Sequence, residues 1–243
     1  MKRQLICLVT VLFLVQTQAQ DYQKIKISTD IELIKISENA YVHVTFGSLQ
    51  GYGRFGSNGL IYVDKGKAFL FDTPITDSLT RELVTWLRDS LQINIVGFVP
   101  NHWHNDCTGG LGYLKSIGVE TWANQRTIDI AKSKGLPVPE HGFTDSLTLK
   151  LNDRTIKCYY FGPAHSRDNI VVWLPEEKIL FPGCMVKEMN SQNLGNTADG
   201  DLNEYAGTIH KVINKFPTAR IVIPGHGQIG GMELLRHTKE LAE

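Results

Sequence analysis

In the segment Asn101-His102-Trp103-His104-Asn105-Asp106-Cys107, two imidazoles and a carboxylate recur at every second position. Imidazole and carboxylate are both good zinc donors. An extended backbone would project all three to one side. The apolar run Ile95-Val96-Gly97-Phe98-Val99-Pro100 precedes them and reads as a buried strand. Three more segments repeat the design of an apolar strand, a Gly- or Pro-containing turn and a metal-capable side chain. They are Phe161-Gly162-Pro163-Ala164-His165, Ile179-Leu180-Phe181-Pro182-Gly183-Cys184 and Ile221-Val222-Ile223-Pro224-Gly225-His226-Gly227. Singly, each histidine or cysteine could be an ordinary loop or core residue. Four repeats of one local pattern point to a metal site carried on loops and positioned by a rigid sheet. His43, His141, His210 and His237 lack that context.

The elements that must hold such loops are legible in the hydrophobic periodicity. Strands are predicted at Ile31-Glu32-Leu33-Ile34-Lys35-Ile36 and Ala40-Tyr41-Val42-His43-Val44-Thr45-Phe46, and then, past a Gly-rich segment, at residues 59–63 and 68–72. Leu79, Leu83, Leu87 and Leu91 mark the apolar stripe of a helix. A second helix starts at Asn124, a good N-cap, and runs to Lys134, with Gly135 as its stop. Strands follow at residues 147–151, 157–161, 169–174 and 179–181. A helix over 203–216, a strand over 220–224 and a helix over 232–241 close the chain. Strands, helix, strand and helix thus occur twice. Two mixed sheets back to back with helices outside would bury both apolar faces, giving an α/β four-layer sandwich.

Composition narrows the function classes. Lys plus Arg and Asp plus Glu number 25 each in 243 residues, so no charge excess argues for nucleic acid or a membrane surface. Lys2 and Arg3, the apolar run from Leu5 to Val15 and Thr17-Gln18-Ala19 read as a signal peptide over residues 1–19, cleaved near 19/20. Residues 20–243 are then a single domain, exported to the periplasm. Cleavage leaves Cys107, Cys158 and Cys184, too few for a disulfide framework. They read either as small buried hydrophobes or, in at least one case, as a metal thiolate.

His102-x-His104-x-Asp106, His165, Cys184 and Gly225-His226-Gly227, in this order and spacing, resemble the class B (zinc) β-lactamases. Cys184 points to their first subclass, and Cys107 to members with Cys rather than Arg after the motif Asp. The resemblance runs from about Ile31 to Leu241 and includes residues 107–113 and 139–147. It implies the αββα metallo-β-lactamase fold with a site at one edge, and two Zn2+. His102, His104 and His165 would hold the first ion; Asp106, Cys184 and His226 would hold the second. Three imidazoles leave a fourth position open, as a catalytic zinc requires. The implied reaction is hydrolysis of the β-lactam amide of penicillins, cephalosporins and carbapenems by attack of zinc-bound hydroxide, conferring antibiotic resistance. Asp106 would also orient the hydroxide.

The same comparison implies that Lys187 meets the substrate carboxylate and that Asn196 donates to the lactam carbonyl. Residues 46–59 match the family's mobile flap, where Tyr52 or Phe55 would close over the ligand. Some relatives carry Trp near the tip, so Tyr52 bears on flap affinity and not on catalysis. Ala164 and Ser166 stand where relatives usually have Gly and Thr. Asp72, at a strand end, reads as a hydrogen-bonding support and not a ligand. The partner is thus a small-molecule β-lactam, with no nucleic acid, no membrane after cleavage, and a monomer expected. Thioesterases and lactonases of the superfamily usually place His after the motif Asp and a bridging Asp later; Cys107 and Cys184 speak against them. A non-catalytic exported zinc-binding protein would leave Lys187 and Asn196 without a role.

Overall fold

The computed structural model describes residues 22–49 and 53–243. The signal-peptide reading of residues 1–19 and the flap residue Tyr52 lie outside them. The chain opens with antiparallel strands β1 (Gln23–Lys26), β2 (Ile31–Lys35), β3 (Ala40–Leu49), β4 (Gly53–Asp64) and β5 (Lys67–Phe71). Helix α1 (Asp77–Leu91) leads to β6 (Asn94–Val99), parallel to β5. Short helices α2 (Asn105–Thr108) and α3 (Leu111–Ser116) precede β7 (Glu120–Asn124), and α4 (Gln125–Lys134) precedes β8 (His141–Phe143). These strands pair in sequence order into one sheet.

The second sheet takes β9 (Ser146–Leu151), β10 (Arg154–Tyr159), β11 (Val171–Leu174) and β12 (Ile179–Gly183). After α5 (Leu202–Lys215), β13 (Ile221–Pro224) joins β12 in parallel, and α6 (Met232–Ala242) follows.

Alternation explains why so many strands are apolar without a break. In β5, Phe69 and Phe71 face the second sheet, while Ala68 and Leu70 meet Leu83 and Leu87 of α1. In β12, Ile179 and Phe181 face the first sheet, while Leu180 meets Tyr205, Ile209 and Val212 of α5. Each sheet is covered on both faces, so both alternating sets must be apolar. The result is the four-layer order helix, sheet, sheet, helix.

Local signals set the boundaries. Asn124 caps α4 by accepting from the Arg126 N–H at 3.0 Å, and Gly135 ends it at φ +65. Asp201 caps α5, which begins one residue before the predicted Asn203. Strand β10 begins at Arg154 and not at Lys157, because the hairpin turns at Asn152-Asp153, with Asn152 at φ +52. Strands β1, β7 and β8 and helices α2 and α3 were not predicted. They span three to six residues each, too short to show a period. The Gly-rich segment is paired in its described part: β3 and β4 keep register from Ala40↔Tyr62 to Leu49↔Gly53.

Candidate metal centre

Strand β6 delivers the histidine loop to one edge of the sandwich, and buried hydrogen bonds fix its exit. The Asn101 N–H donates to Asp72 Oδ1 at 2.5 Å, and the Asn101 amide donates to the Ile170 carbonyl at 2.6 Å. Asp72 itself sits at φ +59, an uncommon conformation for a non-glycine residue. It supports the loop, as the sequence suggested.

The expected extended arrangement of His102, His104 and Asp106 does not form. The N–H groups of Cys107 and Thr108 both donate to the His104 carbonyl, so α2 starts there, with His104 as its N-cap. This turn separates Asp106 from the two histidines and hands it to a second group of donors. Two triads result, in place of one row.

In the first, His102 Nε2 and His104 Nδ1 lie 2.9 Å apart. The His165 ring stands edge-on to both, with centroids at 4.9 and 5.3 Å. The three donor atoms lie within 4.8 Å of one another. Burial, then the neighbouring His104, holds His102 down at about 3, and burial likewise holds His165 well below the usual histidine range. Both are therefore neutral at physiological pH, the form that donates to a metal. His165 Nδ1 is buried and has no protein partner.

In the second, Asp106 Oδ2 lies 3.1 Å from His226 Nε2 and 3.5 Å from Cys184 Sγ, and Cys184 Sγ lies 3.4 Å from His226 Nε2. A hydrogen bond from Cys107 draws the Cys184 thiol down to about 6, against burial. Burial opposes a charged Asp106, but its hydrogen bond to His226 and the nearby imidazoles hold it well below the carboxylate range. Burial pulls His226 down as well; the Cys184 sulfur and Asp106 outweigh it and hold His226 well above its ordinary range. Two buried acidic groups held against a protonated imidazole make a site where a metal cation can take the proton's place. A soft sulfur, a carboxylate and an imidazole suit zinc. Gly225 is needed here, since a Cβ would fall 2.3 Å from Cys184 Sγ.

Cys107 connects the triads. Its sulfur lies 3.2 Å from His102 Nδ1, the ring nitrogen opposite the one that meets His104. The same sulfur lies 4.0 Å from Asp106 Oδ1, so it touches a member of each triad. It is also within 4.8 Å of Asp106 and Cys184. Asp199, which the sequence reading did not single out, takes one ring nitrogen of His104: its Oδ2 accepts from Nε2 at 2.9 Å and leaves Nδ1 for a metal. Nothing local marks Asp199, which lies far along the chain from His104.

The remaining predicted residues are less uniformly gathered. Lys187 Nζ donates to the Cys184 carbonyl at 2.8 Å, and burial lowers its ammonium pKa. Phe55 packs edge-on against His226, centroids 5.9 Å apart. Asn196 lies on an exposed turn, its Oδ1 accepting from the Ala198 N–H at 3.2 Å. His141 pairs with Glu120, His210 with Asn214 and His237 with the Ser191 carbonyl, all apart from the triads. A cleft of about 410 Å³ opens where the flap strands meet α1 and the histidine loop, lined by Phe46, Ser48, Arg54, Ile75, Leu79 and Asn105.

Residues 52–226 match the family model of the metallo-beta-lactamase superfamily. The chain is 51% identical to the metallo-beta-lactamase type 2 of Bacteroides fragilis, over 96% of this chain and 93% of that protein. It is 33% identical to the type 2 enzyme of Bacillus cereus, over 87% and 82%. The solved metallo-beta-lactamase from Pontibacter korlensis superposes with a TM-score of 0.83 at 35% identity, over 87% of this chain and 98% of that one. Crystalline VMB-1 gives 0.84 at 35%, over 88% and 97%. With donors, fold and sequence in agreement over nearly the whole length, the chain belongs to the metallo-β-lactamase superfamily.

Proposed function

We infer that the protein is a zinc-dependent β-lactamase that opens the amide of penicillins, cephalosporins and carbapenems, and so confers resistance to them. The observation that supports this best is the side-by-side pair of triads, His102/His104/His165 and Asp106/Cys184/His226, each with mutually close donors. Two ions per chain follow from that pairing. Zinc bound there would supply Lewis-acid polarisation of the lactam carbonyl and an acidified water at neutral pH.

The chain's own residues do the positioning. His102 and His165, kept neutral by burial, hold the first ion with His104, whose tautomer Asp199 selects. Asp106, kept ionised, accepts a hydrogen bond from the attacking water and orients it. The Lys187 ammonium meets the substrate carboxylate, and the Asn196 amide N–H donates to the lactam oxygen as charge develops there. Phe55 covers the apolar side of the ligand and excludes water, a role the family resemblance gives to Tyr52 or Phe55. The cleft beside Asn105 receives a bulky substituent of the substrate.

The N-terminal basic pair and apolar run support export to the periplasm with cleavage near Ala19. Among the described residues no helix is long and apolar enough to cross a membrane. Turnover of a penicillin and of a carbapenem by the purified mature protein tests the reading. Activity should vanish with a chelator and return with zinc. Folded, zinc-loaded protein that opens neither substrate would overturn it.

A further inference from the structure

The turn that carries His226 is held from the flap side. Strand β4 runs from the sheet into the flap, and on its way it meets residues 224–227. The Gly56 carbonyl accepts from His226 Nδ1 at 2.8 Å, so Nε2 is the nitrogen presented to Asp106 and Cys184. Asn58, only 3% exposed, donates its backbone N–H to the Gly225 carbonyl at 2.8 Å. Its side-chain amide donates to the Pro224 and the Gly227 carbonyls, each at 2.9 Å.

An asparagine has three N–H bonds to give. All three of Asn58's go to the residues that bracket His226. The turn has little to brace it from within: Gly225 and Gly227 carry no side chains, and Gly227 sits at φ +79. Gly225 is pressed so close to Cys184 that a Cβ would not fit. The position of His226 against the other two donors is therefore set from outside the turn, by three hydrogen bonds from Asn58 of β4, with Glu188 accepting from the Gln228 N–H at 2.9 Å just beyond it.

We propose that Asn58 is a positioning residue of the second ion site, clamping the Pro224–Gly227 turn so that the flap strand and the His226 ligand move as one unit. This rests on the reading that Asp106, Cys184 and His226 hold an ion. Linkage makes the coupling reciprocal: an ion held by His226 steadies the root of the flap, and a displaced flap root weakens the ion.

The test loads metal-free wild type, Asn58→Ala and Ser57→Ala with Co2+ as a spectroscopic stand-in, in competition with a chelator. Absorption from the Cys184 thiolate to cobalt reports the second site alone. Asn58→Ala should weaken the second ion by about 10–100-fold, the usual effect of losing a support behind a ligand, and leave the first at its wild-type affinity. Ser57→Ala, which removes from β4 a hydroxyl bonded to Thr45 on the neighbouring β3, should change neither. Circular dichroism and thermal unfolding of the metal-free proteins establish folding; if Asn58→Ala does not fold, Asn58→Ser is read the same way. Wild-type affinity for the second ion in a folded variant, or equal weakening at both sites, would overturn the proposal. A wild type without any thiolate band would overturn the ion assignment itself, and is distinguishable because it appears without a mutation.

Discussion

Two imidazole nitrogens 2.9 Å apart, between rings of which one is wholly buried, are a poor arrangement unless a proton or a cation lies between them. A metal ion held by the first triad would resolve that residue-level tension, and Asp199 leaves room for it by taking the other nitrogen of His104. Asp199→Asn can present an N–H instead of an acceptor, so it should weaken the first ion by about 10–100-fold; competition with a chelator measures this, with the second ion unaffected. Cys184→Ser should remove the thiolate absorption of the cobalt-loaded protein and release the second ion while the first stays bound. Retention of that absorption would mean that another sulfur, Cys107 above all, is the ligand. The candidate donors that the fold brings together were legible because each combines a metal-capable side chain with a strand end. Asp199 and the contact of Cys107 with His102 were not, because each depends on which nitrogen of a distant or neighbouring ring it faces.

At the scale of elements, strands and loops divide the work. Sheets set where the loops leave, and glycines let backbone or side chains pass where nothing larger fits. Gly59 on β4 is the plainest case, with His43 opposite it in register and a built Cβ only 2.0 Å from His43 Nε2 and 2.8 Å from the Phe71 carbonyl. Gly59→Ala should therefore destabilise the protein by about 1–3 kcal/mol through overpacking, read from denaturant unfolding; an unchanged midpoint would contradict this placement. The longer elements were visible in sequence because period and caps agreed, as at Asn124 and Gly135 around α4. The helical turn at residues 105–108 was not, although it redirects Asp106. Alternating ligands suggest a strand, and only the hydrogen bonds of Cys107 and Thr108 to the His104 carbonyl override that pattern.

Across the whole molecule, two sheets enclose one apolar core and leave a polar seam beneath the metal loops. His43 lies in that seam, with Nε2 3.0 Å from the Asp72 carbonyl. Burial lowers it from its ordinary 6.5 to about 4. The unfolded chain therefore binds the proton more readily, so His43's contribution is complete above pH 6.5 and is lost as pH falls toward 4. The stability advantage of wild type over His43→Gln should shrink over that window by on the order of 3 kcal/mol; parallel pH profiles of the two proteins would contradict it. The four-layer order was legible from elements buried on both faces, whereas this seam depends on partners from three strands and no local pattern announces it. The central claim, that the paired triads use zinc to open a β-lactam, is tested most directly by titrating metal-free mature protein with zinc while following ring opening of a penicillin by mass and absorbance. A product heavier by one water is expected, formed only as zinc is added, with turnover that levels off once both triads are filled. Ring opening at full rate without zinc, or stoichiometric zinc binding without ring opening, would contradict it.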